Sequence, residues 1–324
     1  MADPDNLAGP VEVQENAKSP PNSLRHAPGP RPPGRGQLVS SAGRIALTAA
    51  AVILVAKATR LIEPELIGLR GLVKPGSVCI DVGSAAGLYT VALSRLAGPT
   101  GEVHSVEPVS FAHSNWTKVL GSRSGENIKH HATALGAEPG RGVMSVPVGR
   151  HGPVTGRSFL DWKCQGLGSN AEFAGQMEVT VDVQTLDGLC EDAGISRLDF
   201  VKIDVEGAEM HILQGGQRSI EAFQPAMLVE IEARHSARYQ YSPDEIADWL
   251  LGRGYSMHTW HHGWQQTPQV STKARNYLFL PRDWAAAGNQ RPVPRPRPAA
   301  EGEGRRPEAD AGQPAAAAET VASE

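Results

Sequence analysis

Two segments carry acids and glycines at spacings that could do chemistry: Cys79-Ile-Asp-Val-Gly-Ser-Ala-Ala-Gly87 and Phe200-Val-Lys-Ile-Asp-Val-Glu-Gly-Ala-Glu209. Each opens as a short apolar, β-branched run and ends in carboxylates and glycine. That is the pattern of a buried parallel strand whose carboxyl end opens into a binding turn. In open α/β sheets, ligands sit at such ends. Residues 78–82 read as a strand, residues 83–87 as a glycine turn, and Leu88, Val91, Ala92 and Leu96 as a helical stripe. Gly83 permits a positive φ and lets a ligand approach the backbone, and Gly87 lets the helix start pack close to the strand. Free N–H groups at that helix start favour an anionic or electron-rich ligand.

The ligand follows from what the turn lacks. The spacing Asp81-x-Gly83-x-x-x-Gly87 misses the first glycine of the dinucleotide fingerprint G-x-G-x-x-G. Asp81 would repel a phosphate but suits the ammonium of an amino-acid-bearing cofactor. Glu102-Val-His-Ser-Val-Glu-Pro108 reads as the second strand, and an acid at its end, Glu107, can accept both hydroxyls of a ribose. A nucleoside joined to a cationic amino acid is S-adenosylmethionine.

The sequence resembles the FkbM family of S-adenosylmethionine-dependent methyltransferases. The matching stretches are residues 79–89, Val106-Glu107-Pro108, Ala134-Leu135-Gly136, Thr185-Leu186-Asp187, Val201-Lys-Ile-Asp-Val-Glu-Gly-Ala-Glu209, Leu228-Val229-Glu230-Ile231 and Asn276-Tyr277-Leu278-Phe279. Their order and spacing fit the family over residues 65–281, and the Lys-Ile-Asp-Val-Glu-Gly-Ala-Glu string is the most specific of them. The two tails and the Gly-rich stretch 141–177 depart from it. The resemblance implies a class I methyltransferase (Rossmann-like) α/β fold, with a seven-stranded, mostly parallel sheet. It also implies that Ala134 and Leu135 flank the adenine and that Asp204 borders the methyl group. Tyr89 either contacts the methionine end or packs at the helix start.

Methyl transfer from a sulfonium to oxygen is an in-line displacement. The enzyme must align nucleophile, carbon and sulfur and dispose of a hydroxyl proton. Asp204 is the first candidate, as base or substrate ligand. Glu206 points to the same side if the strand continues, or caps the next helix if Gly207 breaks it. Glu209 belongs to that helix's first turn as a structural acid. Glu230 ends the fifth strand, and His235 is a candidate general base. Asp204, Glu230 and His235 could together hold a divalent cation that acidifies a hydroxyl, though no spacing demands a metal. In His258-Thr-Trp-His-His-Gly-Trp264, His261 and His262 point to opposite faces and do not share an ion. Trp260 and Trp264 line a substrate wall or cover the sheet edge. The 141–177 stretch and the segment around Tyr239 and Tyr241 are expected to shape the acceptor pocket.

The positioning elements alternate strand and helix. Strands are expected at 128–134, 199–205 and 226–231, helices at 208–223 and 243–251. Residues 176–183 form a hairpin insertion, and 255–260 with 276–280 form a C-terminal antiparallel strand pair. A βαβ alternation gives a parallel sheet covered on both faces.

Composition bounds the rest. Hydrophobic content of 40% supports a sizeable core, and a net charge of −4 gives no sign of a nucleic-acid surface. Cys79, Cys164 and Cys190 show no metal or disulfide spacing, which points to a reduced, cytoplasmic protein. Of 25 prolines, 14 fall in residues 1–40 and 285–324, so both tails are expected to be disordered around a catalytic domain at 41–284. The apolar run 45–56 is too short to span a membrane, which takes about 20 residues, and suits a helix capping the fold or the cleft. The expected reaction is O-methylation of a hydroxyl on a sugar or secondary metabolite. The alternatives are a nicotinamide-dependent oxidoreductase and a non-catalytic cofactor-binding scaffold recruiting partners through its tails.

Overall fold

A computed structural model describes residues 63–109, 126–150, 152–162, 164, 170 and 172–284. The two tails, the 45–56 run and the expected domain start at residue 41 lie outside the described residues. Helix α1 (Glu65–Leu72) precedes strand β1 (Val78–Val82), helix α2 (Leu88–Ala97), and strands β2 (Glu102–Val106) and β3 (Ile128–His131). Strands β4 (Ala134–Leu135), β5 (Gly140–Gly149), β6 (Gly152–Pro153), β7 (Phe159–Leu160) and β8 (Gly175–Gln184) follow. Then come α3 (Leu186–Asp192), β9 (Phe200–Ile203), α4 (Glu209–Gly215), α5 (Gln217–Phe223), β10 (Ala226–Glu230), α6 (Ala233–Ser236) and α7 (Pro243–Leu251). The described chain closes with β11 (Tyr255–Trp260), β12 (Trp264–Gln266) and β13 (Asn276–Pro281).

Among the described residues the main sheet has eight strands, in the order β12-β11-β13-β10-β9-β1-β2-β3. The five from β3 to β10 run parallel, while β13, β11 and β12 each pair antiparallel with a neighbour. Seven strands were expected. The eighth is β12, which exists because His261-His262-Gly263 turns the chain back: His261 N–H donates to Gly263 O at 2.8 Å and His262 takes a φ of 59°.

Strand alternation sends side chains to two covered faces. Ile80, Val82, Val201, Ile203, Met227 and Val229 pack under α3, α4, α5 and α7. Cys79, Phe200, Ala226 and Leu228 pack under α1 and α2 through Leu69, Leu72, Leu93 and Ala97. Burial on both faces is why these strands read as continuous apolar runs.

Two expected elements came apart, both for packing reasons. The strand expected at 128–134 stops at His131. Ala134 and Leu135 instead pair parallel with Val183 and Gln184 of β8. They belong to a second, five-stranded sheet in which β8 runs antiparallel to β5. The expected hairpin at 176–183 is thus one arm of that sheet. The single helix expected at 208–223 breaks into α4 and α5 at Gly215-Gly216. A Cβ on Gly215 would stand 2.1 Å from the Gly136 carbonyl oxygen, so this join packs directly on the chain leaving β4. Trp260 and Trp264 meet edge to face with centroids 5.2 Å apart. Both indoles press on Gly68 of α1, where a Cβ would lie 2.6 Å from each. They seat α1 on the sheet edge rather than line a substrate wall. Among the described residues no helix is long and apolar enough to cross a membrane.

Candidate active site

A cleft opens at the carboxyl ends of β1, β2 and β9. Chain connections diverge to either side of β1 there, which is where open α/β sheets bind ligands. Val82, Gly83 and Glu107 form one wall, Ala134 and Leu135 an apolar one, and Asp204 and Glu206 the side beyond β9. The second sheet closes the cleft through Met144, Thr155, Ser158 and Leu160.

The two turns named by the sequence interlock. Asp204 N–H donates to Val82 O at 3.1 Å, and Gly83 N–H donates to Val106 O at 3.0 Å. Gly83 has a φ of 76°, and a Cβ on it would sit 1.8 Å from the Asp204 carbonyl oxygen. Glu107 then fastens the loop: its Oε2 accepts from Ala85 N–H and its Oε1 from Val109 N–H, both at 2.9 Å. Each carboxylate oxygen keeps a further lone pair for a ligand hydroxyl.

Three residues expected at the cofactor do not line this cleft. Asp81 shares a strand face with Cys79, so its carboxylate points beneath α2. There it accepts from Thr90 Oγ1 at 2.5 Å and is 2% exposed. It supports the turn from behind and does not face an ammonium. Gly87 takes a φ of 84° at the start of α2, yet a Cβ there would meet nothing within 4 Å. Its role is conformational, not close packing. Tyr89 is buried, donates its hydroxyl to Glu63 Oε2, and offers its ring to Lys202 Nζ 5.0 Å from the centroid.

Lys202 is what the sequence reading missed. It is fully buried, and its ammonium donates to Asp204 Oδ2 at 3.1 Å and Asn276 Oδ1 at 2.9 Å. Burial would raise the Asp204 carboxyl, but the Lys202 ammonium outweighs it and holds Asp204 below the usual range. The signal was present: one charge inside an apolar strand, two residues before Asp204 and so on its face.

Glu206 neither extends β9 nor caps α4. It adopts a φ of 58° and is buried with Oε2 3.0 Å from His235 Nε2. Burial, and then the charge on Asp204, push it up to about 7. Glu209 does the structural work expected of it, accepting from Gly207 N–H at 3.0 Å. His235 is buried behind Glu206, off the cleft wall, with its pKa driven down by burial. Glu230 lies beside it and is raised by burial and by Asp204. Tyr239 and Tyr241 give their hydroxyls to the carbonyls of Leu160 and Gly207. They brace the second sheet and the Gly207 turn instead of facing an acceptor.

These carboxyls set a pH dependence. Burial lifts Asp81 to about 6 and Glu107, Glu206 and Glu209 to about 7. Between the ordinary carboxyl range near 4 and pH 7, the folded state therefore holds more protons than the unfolded chain. Stability is present at the acid end of that window and lost as pH rises through 7. His235 and Asp204, both lowered, oppose this in part. The unfolding midpoint of ligand-free protein in chelator should fall by roughly 5 °C between pH 5.5 and pH 8. A midpoint that climbs over that range would contradict the burial of these groups.

Comparison with known proteins decides the family. The methyltransferase FkbM domain family matches residues 81–257, more than half of the chain. This chain belongs to the FkbM methyltransferase family. It is 28% identical over 149 residues to Methyltransferase 1 of Beauveria bassiana (strain ARSEF 2860), covering 43% of this chain and 58% of that protein. Among solved structures it is similar to the FkbM methyltransferase of Methylobacillus flagellatus KT. That match has 20% identity and a TM-score of 0.39, and covers 64% of this chain and 45% of the other. It is also similar to Aeropyrum pernix fibrillarin in complex with S-adenosyl-L-methionine, at 16% identity and a TM-score of 0.35, covering 64% and 67%. The chain thus spans little more than half the length of this curated relative and under half of the solved FkbM methyltransferase. The match contains both interlocked turns, Glu107, Lys202 and the Glu206–His235 pair.

Proposed function

We propose that this FkbM-family chain transfers a methyl group from S-adenosylmethionine to a hydroxyl oxygen of a sugar or secondary metabolite. The observation that carries the reading is Asp204, kept ionised at the cleft wall by a buried lysine beside the Gly83–Glu107 pocket. The pocket fits the cofactor: Glu107 offers acceptors for a ribose, Ala134 and Leu135 an apolar wall for a base, and the Gly83 turn a backbone that a ligand can approach. Bound there, S-adenosylmethionine supplies a methyl carbon on a positively charged sulfur.

The chain's own residues do the rest. Asp204 accepts a hydrogen bond from the acceptor hydroxyl and so aims an oxygen lone pair at the methyl carbon. With S-adenosylmethionine held by Glu107, Ala134 and Leu135, the C–O bond would form as the C–S bond breaks, the electron pair leaving with sulfur. The hydroxyl proton becomes strongly acidic only as that bond forms, so a carboxylate of lowered pKa suffices to take it. Glu206 on the cleft wall and His235 behind it act through the electrostatics around Asp204.

Calorimetric titration with S-adenosylhomocysteine tests the cofactor half. Micromolar binding is expected, weakened at least tenfold by Glu107→Ala. Asp204→Asn tests the other half: it should keep that binding and lose at least a hundredfold in methyl transfer to an accepted hydroxyl, read as product mass. Intact protein that does not bind S-adenosylhomocysteine would end the reading.

A further inference from the structure

Beside Asp204 lies a cluster of buried polar atoms that lack hydrogen-bond partners. Glu206, Glu230 and His235 each offer one ligand atom, and the three atoms lie within 4.8 Å of one another. The residues are 8%, 7% and 2% exposed. Glu206 Oε2, Glu230 Oε2 and both ring nitrogens of His235 are buried with no hydrogen-bond partner. His235 Nε2 stands 3.0 Å from Glu206 Oε2 and Nδ1 3.8 Å from Glu230 Oε2, near enough to attract but outside hydrogen-bonding geometry. A buried polar atom left unmatched is destabilising, and more so when charged. One ligand atom from each of three buried residues, all within 4.8 Å of one another, describes a socket.

We propose that Glu206, Glu230 and His235 bind a divalent metal ion at the back of the cleft. The backbone holds each ligand in place. Glu230 ends the central strand β10. Glu206 is held at its positive φ, a conformation unusual for a non-glycine residue, with its carbonyl accepting from Arg238 Nη1 at 2.7 Å. His235 lies in α6, whose chain presses so close to Gly207 that a Cβ there would be 2.5 Å from the His235 carbonyl oxygen. Asp204 is not part of the set, because Lys202 already neutralises it.

The donor set names the ion class. One imidazole nitrogen and two carboxylate oxygens suit Mn²⁺ or Zn²⁺ better than Ca²⁺. Ligands at about 2.1 Å from a common ion stand about 3.0 to 4.2 Å apart, so the cluster needs to close by about half an ångström. Arg157 Nε, 3.9 Å from Glu206 Oε2, competes for one ligand and so weakens the binding. Glu206 faces the cleft, so an ion there would polarise an acceptor hydroxyl and lower its pKa, with Asp204 receiving the proton. That use rests on the methyl-transfer reading, whereas the binding itself does not.

The test is calorimetric titration of chelator-stripped full-length protein with MnCl₂, ZnCl₂ and MgCl₂ in turn, with S-adenosylhomocysteine titrated into the same preparation. One Mn²⁺ or Zn²⁺ per chain is expected. Glu230→Gln and His235→Ala should each weaken it at least tenfold while leaving S-adenosylhomocysteine affinity within about twofold. Should His235→Ala not fold, the isosteric Glu230→Gln decides the matter. Wild-type protein that binds S-adenosylhomocysteine but no metal overturns the site, as does metal binding unchanged in Glu230→Gln. Metal binding without S-adenosylhomocysteine binding leaves the site standing and removes the methyltransferase reading instead.

Discussion

Lys202→Met is expected to destabilise the protein by about 3–5 kcal/mol and to abolish methyl transfer. The Lys202 ammonium is fully buried, donates to Asp204 and Asn276, and lies over the Tyr89 ring. Methionine replaces the volume of its stem but none of its charge. Asp204 would then be a half-buried carboxylate with Glu230 nearby and no lysine against it, so its pKa rises. Protonated at neutral pH, it can neither orient an acceptor hydroxyl as an anion nor take its proton. The double variant Lys202→Met/Asp204→Asn separates the two effects. Removing both charges spares the protein an unpaired buried ion, so stability in urea denaturation should recover by about 2 kcal/mol or more relative to Lys202→Met alone. Activity should not recover. Additive losses would mean that the pair is not coupled. A Lys202→Met loss under about 1 kcal/mol would mean that the ammonium is better hydrated than its burial indicates.

The parallel half of the fold was legible because burial on both faces leaves a plain trace. β1, β9 and β10 each appear as a short, mostly apolar run with an acid at or next to its carboxyl end. The cleft residues Gly83, Glu107 and Asp204 were legible for the same reason, since strand ends punctuated by acid and glycine announce where a sheet opens. The second sheet was not. Its edge strand β4 holds only Ala134 and Leu135, and its partner is Val183-Gln184, nearly fifty residues on. Two-residue pairings across that distance leave no local pattern. Asp81 was misread in direction rather than in kind: its parity with Cys79 sends it under α2, and only the packing of α2 shows what it meets there. The Glu206–His235 contact depends on a positive φ at a glutamate and on α6 folding back over Gly207. Neither has a signature in residue type or spacing.

Gly83→Ala is expected to eliminate S-adenosylhomocysteine binding and to destabilise the protein by about 2–5 kcal/mol, the sum of two costs. An L-residue at a φ of 76° is strained by about 1–2 kcal/mol. The added methyl would also stand 1.8 Å from the Asp204 carbonyl oxygen, a backbone atom that no rotamer change can move aside. Overpacking of this kind costs about 1–3 kcal/mol more. Relief comes only by pushing the β9 turn away, and that turn carries Asp204 and Glu206. Gly87→Ala supplies the control within the same loop: φ is 84°, but a Cβ there meets nothing within 4 Å. It should lose only the strain, about 1–2 kcal/mol, and keep binding within roughly tenfold. The difference between the two variants isolates the contact between turns from the conformational freedom both glycines supply. If Gly83→Ala proved as mild as Gly87→Ala, the turns after β1 and β9 would not be interlocked, and the position of Asp204 against the cofactor pocket would need another explanation.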